Sequence, residues 1–317
     1  MNQEHIPSHY GEKRYYSLNT YCKQTFGEKV YRLSLNGGMT CPNRDGTLSY
    51  GGCTFCSEGG SGDFAAEYQI NISAQIAEAK MRIQQKTDCN KFIAYFQAYT
   101  NTYAPIEHLR RIYTEAIQEP DVVAVSIGTR CDCLSDEVIH LLAELSQIKP
   151  IWIELGLQTI HDATHQKLNT HTRIAQFDEA VTKLNHFHIP VIAHIILGLP
   201  SESKAMMLET VTHVAKMPVS GIKLQLLHIL KGTAMASSYT TTPFPLFELQ
   251  EYCDFIIDCL ELLPPTMVIH RLTGDGPRKL LIAPLWSTDK KRVLNTIEKR
   301  LKERNTWQGK YNTLVTI

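Results

Sequence analysis

The sequence has no uninterrupted apolar run near the about 20 residues that a membrane-spanning helix needs, so no transmembrane anchor is expected. Its first residues, MNQEHIPSHYGEKRYY, lack the apolar core of a secretory signal peptide, and the expected location is the cytoplasm. Low-complexity stretches and short repeats are missing too. Net charge is also absent: 32 Lys and Arg balance 32 Asp and Glu, which argues against a uniformly basic nucleic-acid coat and against an acidic disordered chain. What remains is an ordinary globular composition, 43 % apolar and 20 % charged over 317 residues, enough for a sizeable core. Cysteine is the exception. Nine are present, an odd number that cannot all pair internally. In a reducing compartment, cysteines more often bind metal or do chemistry than form disulfides.

Apolar, β-rich runs alternate with helix-length amphipathic segments. Strands are expected at residues 30–35, 92–96, 122–127, 151–155, 191–197 and 222–227. Helices are expected between them at 73–85, 106–118, 136–147, 174–187 and 204–217. Ser135 before Asp136 and Glu137 reads as an N-cap with carboxylates in the first turn, and Ser201 before Glu202 reads the same way. Near-continuous apolar strands alternating with helices imply parallel β/α units. Six such units point to a partial (β/α)6 barrel, with chemistry at the C-terminal ends of the strands. A doubly wound open sheet is the alternative, weakened because no Gly-x-Gly-x-x-Gly follows the first strand. The division expected is an N-terminal extension at 1–28, the partial barrel at 29–230 and a short C-terminal α/β extension at 231–317. In the last, a Thr-, Ser- and Pro-rich loop (233–245) precedes a helix at 246–263, a strand at 267–272 and a basic helix at 289–304.

The densest signal is CPNRDGTLSYGGCTFC, directly after the first strand. Eleven residues separate Cys41 from Cys53, and two separate Cys53 from Cys56. Gly46, Gly51 and Gly52 allow the loop to fold tightly enough to aim three side chains at one point. Three readings compete: buried apolar cysteines, a structural zinc site needing a fourth ligand from elsewhere, and an iron–sulfur cubane on three thiolates with one iron left open.

Three cysteines after the first strand of a six-unit partial barrel, with an aromatic residue between the last two, resemble the radical S-adenosylmethionine (SAM) superfamily. The long first spacing and the Cys-Pro-Asn start resemble its Elp3-like branch. Within that branch, SLNGG before the cluster and GGCTFC inside it resemble the YhcC/YtqA-type (MnmL-like) group. So do YFQAYTNTYAP (95–105), ELGLQT (154–159), HIILGLP (194–200) and HRLTGD (270–275). The resemblance implies that Cys41, Cys53 and Cys56 hold a [4Fe–4S] cluster whose fourth iron is chelated by SAM. Reductive cleavage of SAM then gives methionine and a 5′-deoxyadenosyl radical that removes a hydrogen atom from substrate.

The remaining site candidates lie where strands should end. Glu154 and Gln158, by the resemblance, approach the SAM ribose; the bland alternative for Glu154 is a strand-end carboxylate capping the next helix. Gly198 would let the backbone approach the adenine, unless it is an ordinary strand-to-helix turn. Asn101 and Thr102 stand where many relatives carry a Gly-Gly-Glu-type segment for the SAM amino group, which this chain lacks. Arg130 and Cys133, after the third strand, are candidates for an anion partner and a substrate-reactive thiol. Related sequences tend to carry Asn-Arg-Gly-His where this one has Asn169-Thr170-His171-Thr172, so Arg173 is the candidate replacement for that arginine. The thirteen histidines form no His-Glu-x-x-His pattern, and no second metal is expected.

Overall neutrality hides an asymmetry. From Arg271 to Ile317 there are eleven Lys and Arg against four Asp and Glu. Lys290, Lys291, Arg292, Lys299, Arg300, Lys302 and Arg304 could follow a phosphate backbone, with Trp286, Trp307 and Tyr311 as stacking candidates. The Elp3-like branch modifies wobble uridine in tRNA, and the YhcC/YtqA-type group that this sequence resembles is associated with remodelling the carbon-5 side chain of that base. The resemblance therefore implies tRNA as partner and an electron donor such as flavodoxin or ferredoxin. The alternatives are a radical enzyme acting on a small metabolite or peptide, and a non-enzymatic zinc or iron–sulfur scaffold.

Overall fold

The computed structural model describes residues 6–60, 62, 63, 65, 68–274 and 276–313. Seven strands form one parallel sheet in the order β1 (Tyr31–Leu35), β2 (Phe92–Phe96), β3 (Val122–Arg130), β4 (Ile151–Gln158), β5 (Val191–Leu197), β6 (Gly221–Leu226) and β8 (Val268–Arg271). Between them run α2 (Ile72–Gln84), α3 (Ile106–Gln118), α4 (Asp136–Ser146), α5 (Asp162–Lys167), α6 (Ile174–His186), α7 (Lys204–Lys216), α8 (Ala234–Thr241) and α9 (Leu249–Leu262). The sheet curls until its two edges meet through side chains: Arg32 Nη2 on β1 lies 2.9 Å from His270 Nδ1 on β8. This is the expected partial barrel. It gains a seventh parallel strand, β8, from the C-terminal segment, paired with β6 at Gly221–Val268 and Ile222–Ile269. Among the described residues no helix is long and apolar enough to cross a membrane.

The period of two along each strand sorts its residues to two faces. On β4, Ile151, Ile153, Leu155 and Leu157 join the large apolar core beneath the helices. Trp152 points the other way, into the barrel. There it packs with Ile93, Ala124, Ile192 and Cys22, a plug formed at the N-terminal ends of the strands. The lid on that plug is α1 (Leu18–Phe26), whose Leu18, Tyr21 and Phe26 lie against it. Ser17 accepts from Thr20 N to cap this helix, and α1 was not foreseen as a helix.

Most helices stand within a residue or two of expectation because their apolar stripes are unambiguous. Ser135 is the N-cap of α4, accepting from Val138 N. The cap of α7 is Ser203, accepting from Met206 N, whereas Ser201 sits at positive φ in the preceding turn. The Thr- and Ser-rich stretch read as loop contains α8, capped by Thr233 accepting from Ala236 N. Helix α10 (Lys290–Glu303) packs on α9, and Arg300 grips Asp254 with Nε–Oδ1 2.8 Å and Nη2–Oδ2 2.7 Å. The short antiparallel pair β7 (Ile229–Leu230) and β9 (Leu281–Ala283) ties the C-terminal segment to the barrel mouth.

Candidate active site at the barrel mouth

One cavity of about 260 Å³ opens at the C-terminal ends of the strands, and Cys41, Cys53 and Cys56 all line it. The loop that carries them is held from within. Arg44 donates to the backbone oxygens of Cys56, Ser57 and Glu58, and Gly52, at φ +81°, leaves room for it: a Cβ there would lie 2.8 Å from Arg44 Nε. It is also held from outside. Asn169 Nδ2 donates to Gly52 O at 3.0 Å, and Thr54 N to Leu168 O at 2.9 Å. Asn43 Nδ2 donates to Asn169 O and, at 3.4 Å, to Cys53 Sγ. Contact with the Cys56 thiol, together with burial, pushes the Cys53 thiol well above its usual range.

Among the described residues, no three His, Cys, Asp or Glu side chains close on a single metal-ion position. The donor set is three thiols rimming open space. Asn43 already aims an N–H at one of them, the kind of contact that tunes a cluster's potential. That chemistry fits a cluster with one open corner.

Below the cysteines the barrel interior is charged. Glu154 is fully buried and takes four partners. Ser126 Oγ donates at 2.8 Å, His194 Nε2 lies at 2.9 Å, Arg32 Nη2 stands at 3.5 Å, and Lys223 Nζ makes a close ion pair. Lys223 also donates to Tyr95 Oη at 3.1 Å. Tyr95, Glu154 and His194 line the cavity two residues beyond Ile93, Trp152 and Ile192 of the plug, and Lys223 and Gln225 of β6 line it with them. Burial alone would raise the Glu154 carboxyl, but Lys223 and Arg32 outweigh it and hold the group well below the usual carboxylate range. Burial, reinforced by Lys223, pulls His194 down to about 4, so its imidazole is neutral at pH 7.

The sequence-derived candidates divide. Arg130 and Gln158 line the cavity, as does Glu154. Arg130 is locked to Asp132 (Nε–Oδ1 2.9 Å, Nη2–Oδ2 2.6 Å), which leaves it a fixed cation at the rim. Glu154 is neither helix cap nor strand end, since β4 runs four residues beyond it and its carboxylate is the hub of the buried charges. Five other candidates do not line the cavity. Cys133 gives its thiol to Asp132, and burial pushes it far above the thiolate range. Asn101 stitches strand ends together, donating to Phe96 O at 3.2 Å and Gly128 O at 2.8 Å. The Thr102 hydroxyl is consumed by Thr129 and Cys133 O. Gly198 donates its N–H to Met207 Sδ, with Phe247 over its α-carbon, so it is the ordinary turn. Arg173 is exposed at the start of α6, while Thr170 and Thr172 of the same loop reach the cavity instead.

The basic C-terminal helix is also only partly as expected. Arg300 and Arg304 are paired with acids of α9, Trp307 is buried, and Trp286 gives its indole N–H to Phe247 O. Lys291, Arg292 and Lys302 remain exposed, as does Tyr311. Reasoning from sequence missed Lys223, His194 as a charge partner, Arg32 and Tyr95. The signal was there: a lysine at an alternate position of an apolar strand must face either solvent or a polar interior.

Comparison with known proteins agrees with this geometry. Residues 40–214 match the model of the radical SAM superfamily, and residues 219–303 match that of the Radical_SAM C-terminal domain. The chain is 45 % identical over 311 residues to the uncharacterized protein YtqA of Bacillus subtilis, covering 98 % of this chain and 97 % of that one. It is 36 % identical over 279 residues to protein YhcC of Escherichia coli, covering 88 % and 89 %. Among solved structures, archaeal Elp3 of Methanocaldococcus infernus superposes with a TM-score of 0.66 at 14 % identity. That match spans 88 % of this chain and 64 % of the Elp3 chain, and it speaks to the fold. The chain belongs to the radical SAM superfamily, whose enzymes work with a [4Fe–4S] cluster, SAM and a reductant.

Proposed function

We propose that this radical SAM enzyme acts in the cytoplasm on the carbon-5 side chain of wobble uridine in tRNA, with Cys41, Cys53 and Cys56 as the ligands of its cluster. The observation that carries the ligand assignment is the convergence of the three thiols on one cavity above a polar chamber. When bound, the cluster and SAM supply the hydrogen-abstracting radical. The chain's own part is to orient and to exclude water. Arg44 and Asn43 fix the cysteine loop, and the apolar plug around Trp152 closes the barrel from below. Arg130 and Gln158 stand at the rim, where they can contact SAM or substrate. The electron comes from a donor such as flavodoxin or ferredoxin.

The tRNA reading rests on the Elp3-like resemblance and on charge placement. Burial first, then the charge of Arg271 on the cavity wall, lower Lys290 at the start of α10 to about 8. On the same helix Lys291, Arg292 and Lys302 are exposed and offer a track for phosphates. One observation favours a small metabolite instead: Arg300 and Arg304, two of the helix's cations, are committed to α9. Nucleoside analysis of tRNA from cells lacking the protein decides between the two. The tRNA reading expects loss of the modified wobble nucleoside and accumulation of its precursor; an unchanged wobble position overturns it.

A further inference from the structure

We propose that His194 reads the substrate: its bare Nδ1 accepts a hydrogen bond from an uncharged N–H or O–H on the carbon-5 side chain of the target base. This deepens the tRNA reading above and rests on it.

His194 stands on β5 between Ile192 of the plug and Ile196, which also lines the cavity. Its Nε2 lies 2.9 Å from Glu154 Oε2, and an ionised carboxylate only accepts, so the ring proton sits on Nε2 and the lone pair on Nδ1. Nδ1 makes no hydrogen bond among the described residues, yet it is not sealed in as Arg32 Nε is. The side chain is 16 % exposed, and that surface faces the cavity it lines. Space is left beside it. Gly156 pairs with His194 in register, and the three nearest atoms to a Cβ built there would all belong to the Gln158 amide, the first at 2.6 Å.

Charge balance keeps the ring neutral. Facing it are Glu154 on β4, Lys223 on β6, Arg32 on β1, Tyr95 on β2, and His270 and Arg271 on β8. Glu154 already answers Lys223 and Arg32, so a third cation on that carboxylate would be buried without a counter-charge. Burial, reinforced by Lys223, accordingly pulls His194 down to about 4. A ligand therefore meets a lone pair set among cations. The lone pair repels a carboxylate oxygen, and Lys223 and Arg32 repel an ammonium; an uncharged N–H or O–H suits both. A site built to pair such a donor rejects analogues that lack it, because the buried acceptor would stay unpaired on binding. Depth assigns the contact to substrate. From Glu154 to Gln158 at the rim, β4 runs four residues, about 13 Å. The cysteines stand at the mouth, so the group that reaches this floor is the one placed beyond SAM.

The test has two arms, both on the full-length protein. In the first, ¹⁵N-labelled histidines are followed by NMR, and His194 is assigned by the signal missing from His194→Gln. The proton is expected on Nε2, with Nδ1 bare at pH 7. An Nδ1–H tautomer or an imidazolium overturns the proposal whether or not the enzyme turns over. The second arm follows product formed per 5′-deoxyadenosine in the reconstituted enzyme, with tRNA from cells lacking the protein as the probe. In His194→Gln an amide N–H can keep the bond to Glu154 while the acceptor at Nδ1 is lost, and the ratio should fall about 10- to 100-fold. His194→Asn puts an amide oxygen near the place of Nδ1 and should restore part of it. A retained ratio in His194→Gln overturns the proposal, and so does 5′-deoxyadenosine falling in step with product, which would assign the contact to SAM. Wild-type protein that cleaves SAM yet leaves tRNA unaltered overturns the tRNA reading together with the proposal, whereas altered tRNA with indifferent variants overturns the proposal alone.

Discussion

Replacing Glu154 by leucine removes the single carboxylate on which Arg32, Lys223 and His194 converge. The three respond differently. His194 is already neutral, and Lys223 can shed its proton, but Arg32 cannot and stays as a charge with a side chain only 19 % exposed. Breaking a buried pair on one side costs about 3–5 kcal/mol. Because Lys223 relaxes, the lower end, about 3 kcal/mol, is expected, or roughly 4–5 °C in melting temperature for a chain of this size. Removing the stranded charge in the Glu154→Leu/Arg32→Met double variant should recover at least about 1 kcal/mol relative to the sum of the single changes. Thermal or urea unfolding of the four proteins gives the cycle. Acid supplies a second check with a defined sign. The folded-state pKa of Glu154 is depressed, so its contribution is complete above 4.5 and is lost as pH falls below that value towards the folded pKa. The gap between wild type and Glu154→Leu should therefore be constant at neutral pH and narrow in acid below 4.5. A loss under about 1 kcal/mol, or single changes that add without coupling, would show that the buried charges do not depend on Glu154.

Two further outcomes follow from local geometry. Ser135→Ala removes the acceptor for Val138 N at the start of α4 and should cost about 1 kcal/mol by denaturant unfolding, with Ser135→Asp close to wild type. Arg300→Ala breaks a two-bond ion pair with Asp254 that is over a third exposed, so its cost should stay below about 1 kcal/mol and shrink in high salt.

Much of the fold could be read from apolar period. The parallel strands, the helices α3, α4, α6 and α7, and the placing of chemistry at the strand C-termini came from alternating apolar segments. Strands β3 and β4 were cut short at 127 and 155 because Gly128, Thr129 and Arg130, and Gly156 and Gln158, break the apolar runs. These five residues line the cavity and so need not be apolar. Helices α1 and α8 were missed because their sequences are polar or rich in Ser and Thr; capping and packing against the barrel ends support them.

The cysteine spacing alone marked Cys41, Cys53 and Cys56 as candidates, and all three line the cavity, since side chains carried on one loop are close in sequence by necessity. The charged chamber was not legible in that way. Arg32, Tyr95, Glu154, His194 and Lys223 come from five strands and meet only because the sheet curls and tilts. In the strand register His194 pairs with Gly156 and Lys223 with His194, yet both side chains reach Glu154. The same curl left Cys133, Asn101, Thr102, Gly198 and Arg173 outside the cavity although each lies just beyond a strand or at a helix start. By itself the sequence determined the barrel class and the thiol loop, because both are local patterns. Which polar side chains share the interior was decided by tertiary structure, because strand tilt sets that neighbourhood and no spacing along the chain encodes it.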